Sequence, residues 1–251
     1  MCIMKRTAHL GILAIGVVAL AAGAVLAFTA PGRLVARYAA VRLGVKRTVA
    51  ERVAQYGPAA RARLAQPFER AGVSYPPRRV KLCVFKEEKR VEVYAGVGAG
   101  AEGRDDDGLK FITSYAITAA SGTAGPKLRE GDRQVPEGMY RIESLNPNSL
   151  FHLSLRVDYP SAEDRAVAAR EGRTGLGGDI MIHGGAASIG CVAIGDDAIE
   201  EVFVLAADVG VQNVEVLIAP CDLRVREPAP QFDWVMERYR AMRERLAVLG
   251  R

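Results

Sequence analysis

At Ser74-Tyr75-Pro76-Pro77 the period of the apolar residues changes, and that change limits the folds open to the chain more than any other feature. Upstream, Leu34, Tyr38, Val41, Val45, Val49, Val53 and Tyr56 recur at spacings of three and four with Arg and Lys between them, the mark of an amphipathic helix. Tyr56-Gly57-Pro58 is expected to interrupt that helix, and a second short one is expected over Ala59–Ala71. Downstream the pattern turns to alternation. Val80, Leu82 and Val84 fall on one face of a strand, and Val91 and Val93 follow a charged turn at Glu87–Arg90, which predicts a hairpin. Further strand-like runs lie at Phe111–Thr118, Tyr140–Ser144, Phe151–Val157, Ile180–His183 and Val214–Ile218. Many short strands with few helices imply a mostly β core with flanking helices. A chain of 251 residues that is 49% hydrophobic has enough apolar surface for one principal core with short additions.

Chemistry concentrates in Met181–Ile194, MIHGGAASIGCVAI, directly after a strand-like run. The chain holds 3 histidines, and one of them, His183, stands here close to Cys191. A cysteine attacks as its thiolate, and a free thiol with a pKa of about 8.5 is mostly protonated at neutral pH, so a neighbouring imidazole or helix N-terminus must draw the proton off. Both are in reach. The run Asp196–Asp208 carries Ile199, Val202, Phe203 and Ala206 at helical spacing behind acidic residues, so Cys191 lies just upstream of a helix start. This reading makes Cys191 a nucleophile and His183 its base.

Gly184, Gly185 and Gly190 permit close backbone approach, and the N–H groups of Gly190 and Cys191 could face the oxygen of a tetrahedral intermediate. The imidazole would be oriented by a backbone carbonyl or by Ser188, and the residues alone leave both open. A lone cysteine in an apolar stretch is more often a small core residue, and a lone histidine is usually structural. Their joint occurrence in a glycine-rich loop between strand and helix favours chemistry. A zinc site is not expected, because one histidine and one cysteine supply only two ligands and no C-x-x-C or second histidine stands nearby. No cofactor is implied.

The pair His183-Gly184 and the element Ser188-Ile189-Gly190-Cys191 resemble the active-site signature of the L,D-transpeptidase catalytic domain (YkuD) family, cysteine enzymes that act on bacterial peptidoglycan stem peptides. The stretch Ser121–Arg165 is similar to the region before the active site in the YafK-like branch of that family. Matching segments span most of residues 80 to 220. The commoner pattern has a second histidine before the Gly-Cys pair and an arginine two residues after the cysteine; here those places are Ile189 and Ala193, as in the YafK-like branch. An arginine there could anchor a substrate carboxylate, and Ala193 cannot.

The resemblance implies a β-rich, sandwich-like fold and a two-step acyl transfer through a thioester on Cys191, serving cell-wall biogenesis and cell shape. It also implies two alternatives: a hydrolase (L,D-carboxypeptidase, endopeptidase or amidase) cutting stem-peptide or protein-peptidoglycan links, and a non-catalytic wall-binding module. Retention of both His183 and Cys191 speaks against the last. Lys127, Arg129 and Arg133 form a basic cluster in the matching region, with contact to a stem-peptide carboxylate as a second reading beside a solvated loop.

The chain divides into residues 1–30, 31–75, 78–222 and 229–251: a signal peptide or membrane anchor, a helical segment, the catalytic domain and a C-terminal helix. Residues 9–30 are an apolar run behind Lys5 and Arg6, at the length of a spanning anchor, although Val25-Leu26-Ala27 could serve as a cleavage site. Arg33, Arg37 and Arg42 follow the run, so charge does not settle orientation. The family's substrate lies outside the cytoplasmic membrane, which places the chain in the periplasm or on the extracytoplasmic membrane face. The net charge of +5 suits an anionic wall or membrane surface. With no aromatics interleaved among Lys and Arg, nucleic acid is not expected as a partner. Cys83 and Cys221 could form a bridge, but two unpaired thiols are favoured. His152 is expected on the surface or in a groove, opposite Phe151, Leu153 and Leu155. Val235, Tyr239, Met242, Leu246 and Leu249 predict the C-terminal helix packed on the domain.

Overall fold

Thr48 opens the first helix of the computed structural model, which describes residues 44, 46–96, 108–229 and 232–249. The leader or anchor expected over residues 1–30, and the part of the helical stripe before residue 44, lie outside the described residues. Among the described residues no helix is long and apolar enough to cross a membrane. The architecture belongs to the unit Arg47–Arg251.

Helix α1 (Val49–Ala71) starts behind a capping box, with Thr48 accepting from the Glu51 N–H and the Glu51 side chain returning to the Thr48 N–H, and it ends at Gly72 in the left-handed conformation. The break expected at Tyr56-Gly57-Pro58 does not occur: the helix runs through both Pro58 and Pro67. An interior proline costs a helix about 3 kcal/mol. That cost is offset by burial of Ala60, Leu64 and Phe68 along one stripe. Ion pairs flank it, with Arg61 gripping Asp208 at 2.7 and 2.8 Å and Arg63 reaching Glu201 at 2.5 Å.

Among the described residues nine strands follow: β1 (Arg79–Phe85), β2 (Arg90–Gly96), β3 (Lys110–Ala116), β4 (Ala119–Ala120), β5 (Gly138–Asn146), β6 (Ser154–Val157), β7 (Met181–His183), β8 (Val192–Ala193) and β9 (Val214–Ala219). Their order is β3-β2-β1-β9-β5-β6-β7-β8-β4. The β1–β9 and β7–β8 pairs are parallel and the others antiparallel, so the sheet is mixed. Helix α2 (Ala162–Arg170) precedes β7, α3 (Asp196–Val209) follows β8, and α4 (Asp233–Ala247) ends the described chain. The mostly β core with flanking helices expected from the sequence is what forms, and the predicted hairpin is β1–β2.

Strand β5 joins two halves of the sheet. Gly138–Arg141 pairs with β9, and from Ile142 on the strand pairs with β6, with a register shift between Ile142 and Ser144. A bulge of this kind bends a strand and raises its twist. The main core gathers Leu82, Val84 and Val93 from one half, Leu155, Ile182 and Val192 from the other, and Ile199, Val202, Phe203 and Leu205 from α3. The alternation read along β1 hides a second buried face. Cys83 and Phe85 pack with Leu217 beneath Tyr239, Met242 and Leu246 of α4, as the C-terminal apolar spacing predicts. Cys83 and Cys221 are both buried and unpaired.

Leu64 is fully buried in the seam that carries α1 past its prolines. Leu64→Ala is expected to destabilise the protein by about 2–5 kcal/mol, read as a lower urea midpoint with an unchanged slope.

Candidate active site

The parallel pairing of two short strands sets the site. In β7 and β8, Ile182 stands opposite Val192 and His183 opposite Ala193. Side chains alternate across a strand, so Ile182 and Val192 enter the core while Met181, His183, Cys191 and Ala193 share the other face. Cys191, directly before β8, has the Met181 backbone as a hydrogen-bond partner of its thiol and enters the pair on the side of β7 that leads to His183. Neighbouring strands lie about 4.8 Å apart, and diagonal pairs are within reach of longer side chains.

His183 is 3% exposed, and its ring lies 4.7 Å from that of Phe151. Its Nδ1 lies 2.7 Å from the Gly184 carbonyl. A carbonyl only accepts, so Nδ1 carries the proton and donates it there, which leaves Nε2 as a lone-pair acceptor. Burial pushes the imidazole below the 6.5 usual for histidine, and the Gly184 carbonyl opposes that only in part. The ring is neutral at neutral pH, in the tautomer a base needs. Of the two orienting groups that the sequence left open, the backbone carbonyl takes the role.

Ser188 does something else. Its Oγ donates to the Cys191 carbonyl at 2.5 Å and accepts from the Cys191 N–H at 3.0 Å, closing the loop around the cysteine's own backbone. The Gly190 N–H donates to Ser121 Oγ at 2.6 Å, and Ser121 in turn donates to the Arg133 carbonyl at 2.8 Å. Both N–H groups expected to face an oxyanion are thus engaged by serine hydroxyls, so they must exchange partners to meet one. Gly190 has φ of +91°, which a residue with a Cβ rarely adopts. Gly184 is required by space: a Cβ there would lie 2.7 Å from Asp196 Oδ1 and 2.8 Å from the Phe151 carbonyl. The same Asp196 oxygen accepts the Gly185 N–H at 2.9 Å, tying the loop to the first turn of α3.

Cys191 is half-buried, with Sγ 3.6 Å from the Asp179 carbonyl. The expected lowering of its pKa is absent. Burial pushes the thiol above 9.0, a hydrogen bond from the Met181 backbone and the charge of Lys127 pull it down, and the Asp179 carboxylate pushes it up again. Burial thus holds both the thiol and the imidazole toward their neutral forms.

The basic cluster does not converge as the sequence suggested. Lys127 donates to Asp132 at 2.6 Å and to the Arg129 carbonyl at 2.9 Å, and its side chain is only 6% exposed. Asp132 organises the loop, accepting also from the N–H groups of Leu128, Arg129 and Gln134. Burial alone would raise that carboxyl, but the Lys127 ammonium and the three N–H groups outweigh it and hold it low. Arg129 and Arg133 are exposed. Arg129 borders an open cleft of 540 Å³ with Thr123, Gln134 and Arg173. The cleft adjoins the cysteine loop, since the Gln134 carbonyl lies 3.5 Å from the place of a Cβ on Gly190.

His152 corrects its expectation. It is buried outside the strand, with φ of +77°, and its Nε2 lies 2.8 Å from Glu200 on α3. Alternation had carried β6 too far back, for the strand begins at Ser154. Phe151, Ser121, Asp179 and Asp196 went unread as parts of the site, because each is brought there by tertiary contact and none stands in a local pattern. Among the described residues no group of three or more His, Cys, Asp or Glu is placed to hold a metal ion.

Residues 76–216 match the YkuD family, described as the L,D-transpeptidase catalytic domain. YafK of Escherichia coli (strain K12), provisionally named an L,D-transpeptidase, is 34% identical over 146 residues, which cover 56% of this chain and 54% of YafK. The chain spans about half the length of the curated relatives it matches. The helical cell shape determining protein Pgp2 of Campylobacter jejuni is 23% identical, with a TM-score of 0.43 over 58% of this chain and 49% of its own. Bd1075 of Bdellovibrio bacteriovorus is 21% identical, with a TM-score of 0.40 over 68% of this chain and 56% of its own.

Because burial holds the Cys191 thiol above 9.0, its alkylation by iodoacetamide, followed on the Cys191 peptide by mass spectrometry, is expected to accelerate with pH through a midpoint above 9.0. A rate that is already maximal between about pH 4 and 6, as for a thiolate–imidazolium pair, is the contrary result.

Proposed function

The chain belongs to the L,D-transpeptidase catalytic domain (YkuD) family, and from that premise we propose that it is a cysteine acyltransferase acting on peptidoglycan stem peptides outside the cytoplasmic membrane. One observation carries the reading. Cys191 and His183 share a face of paired strands, and the Gly184 carbonyl leaves Nε2 of a neutral imidazole free to accept a proton.

Catalysis starts with a protonated sulfur, so the base must act during the attack. His183 Nε2 takes the thiol proton as Cys191 Sγ forms a bond to the carbonyl carbon at the L-centre of a diamino acid residue. The carbonyl electron pair moves to oxygen. The Gly190 and Cys191 N–H groups, released from Ser121 and Ser188, turn to that oxygen. Collapse of the intermediate breaks the C–N bond, the imidazolium returns its proton to the departing amine, and a thioester remains on Cys191. A second amine then attacks, losing its proton to His183, and the Cys191 sulfur leaves as the new amide forms and takes that proton back from the imidazolium. Water in place of that amine gives hydrolysis by the same steps.

Incubation with muropeptides, read by mass spectrometry, tests the reading. Cross-linked or exchanged products are expected; shortened products alone make the chain a hydrolase, and unchanged muropeptides with retained binding make it a wall-binding module. Cys191→Ala is expected to abolish turnover with the fold intact, whereas Cys83→Ala retains it. His183→Ala is expected to slow acylation about 10²- to 10⁴-fold, the usual loss for a missing general base. The activity of the unaltered enzyme is expected to fall on the acid side with a midpoint below 6.5, because protonated His183 cannot accept and burial has lowered its pKa.

A further inference from the structure

We propose that Arg156 binds a carboxylate of the acyl-donor peptide, a contact that Ala193 cannot make. The inference rests on the reading of Cys191 as the nucleophile and adds what positions its substrate.

Strands β6 and β7 pair so that Arg156 stands opposite Met181. Cys191 directly precedes Val192, which pairs with Ile182, and the Met181 backbone hydrogen-bonds its thiol, so Met181 and Cys191 are neighbours at the start of the β7–β8 pair. Arg156 and Met181 on adjacent strands, and Cys191 at the entry to the third, therefore form one row, on the face opposite Leu155, Ile182 and Val192, which are buried in the core. At about 4.8 Å per strand the row is about 10 Å long between its outer backbones. That is a fitting span for a carbonyl at the sulfur and a carboxylate at the end of a side chain on the same residue.

The guanidinium already meets two separate carboxylates. Its Nε lies 2.8 Å from Glu143 and its Nη1 3.0 Å from Asp179. Those carboxylates are 56% and 75% exposed, and Arg156 itself 41%. Exposed pairs of this kind are worth little, so an incoming carboxylate can replace one of them at small cost. A planar fork suits a carboxylate in two-point contact. Asp179 links the fork to the chemistry, since its backbone carbonyl is the group that Cys191 Sγ faces at 3.6 Å. The nearby Lys127 ammonium is bound to Asp132 and a carbonyl and is largely buried. Arg156, 41% exposed, is a cation that solvent, and hence a substrate anion, can reach.

The ligand chemistry is a peptide carboxylate, with two sources: the far end of the diamino acid side chain, which the row favours, and the terminus of the peptide. Stem peptides with both groups free, with the side chain amidated and with the terminus amidated separate them. With the full-length protein, amidation of the side-chain carboxylate is expected to lower kcat/KM about tenfold or more, mainly through KM. In Arg156→Ala the ratio between free and amidated peptides is expected to fall to near one. Arg156→Lys should recover only part of it, because an ammonium keeps the charge without the fork. Loss of the ratio at the terminal carboxylate instead keeps the contact and assigns it to that source. Cys191 alkylation rates matching the unaltered protein establish that both variants keep the site. A discrimination that persists in both variants, or that is absent from the unaltered enzyme while it turns over every peptide, overturns the role of Arg156 alone. Turnover of none of the peptides overturns the proposed function together with it.

Discussion

The site depends on two residues that do no chemistry. Ile182 and Val192 face each other across β7 and β8 and sink into the core beside Ile199 of α3. Their burial fixes the register of two very short strands, and a slip by one residue would send His183 inward and a core residue out. Gly184 is the next constraint along the chain. It lets the loop pass so close to Asp196 and the Phe151 carbonyl that a methyl group would collide with both. Hydrophobic burial thus places the imidazole and the sulfur, and hydrogen bonds only trim their orientation.

A second, polar centre holds the cleft beside them. Glu137 is almost fully buried and accepts from the Lys86 ammonium at 2.9 Å, from the Gly125 N–H at 2.8 Å and from the Tyr239 hydroxyl at 2.5 Å. Lys86 also donates to the carbonyls of Gly125 and Val135. Burial lowers the pKa of that ammonium and the Glu137 carboxylate works against the loss. Arg238, on the same face of α4, donates to the Glu137 carbonyl and to Asp164 of α2, each at 2.8 Å. Buried charges are tolerated when every lone pair finds a donor, and removal of one partner is far costlier than the pair is stabilising. The C-terminal helix therefore pins the loop through Gly125 that lines the cleft.

Much of this was legible in the residues. Alternation located the β1–β2 hairpin, β5 and β9, and helical spacing located α3 and α4, because those elements bury one regular stripe each. The short motif around His183 and Cys191 marked the loop that brings them together. Other features were illegible for physical reasons. The prolines of α1 read locally as breakers, yet the stripe of Ala60, Leu64 and Phe68 carries the helix past them. Helix α2 has no apolar stripe of note and is held by its Ser161–Asp164 cap and by Arg238. His152 looked like a strand residue because its neighbours alternate; its pairing with Glu200 is made 48 positions away. Lys127 counted as a free charge in the sequence, and Asp132 five positions on neutralises it.

The protonated state of the Cys191 sulfur has a consequence beyond its reaction with peptides. Peroxides oxidise thiolates, and susceptibility follows the anionic fraction and its exposure. A half-buried sulfur that burial keeps protonated offers such oxidants little to attack. Burial of the thiol, which keeps its proton on, is thus also a protection against oxidation.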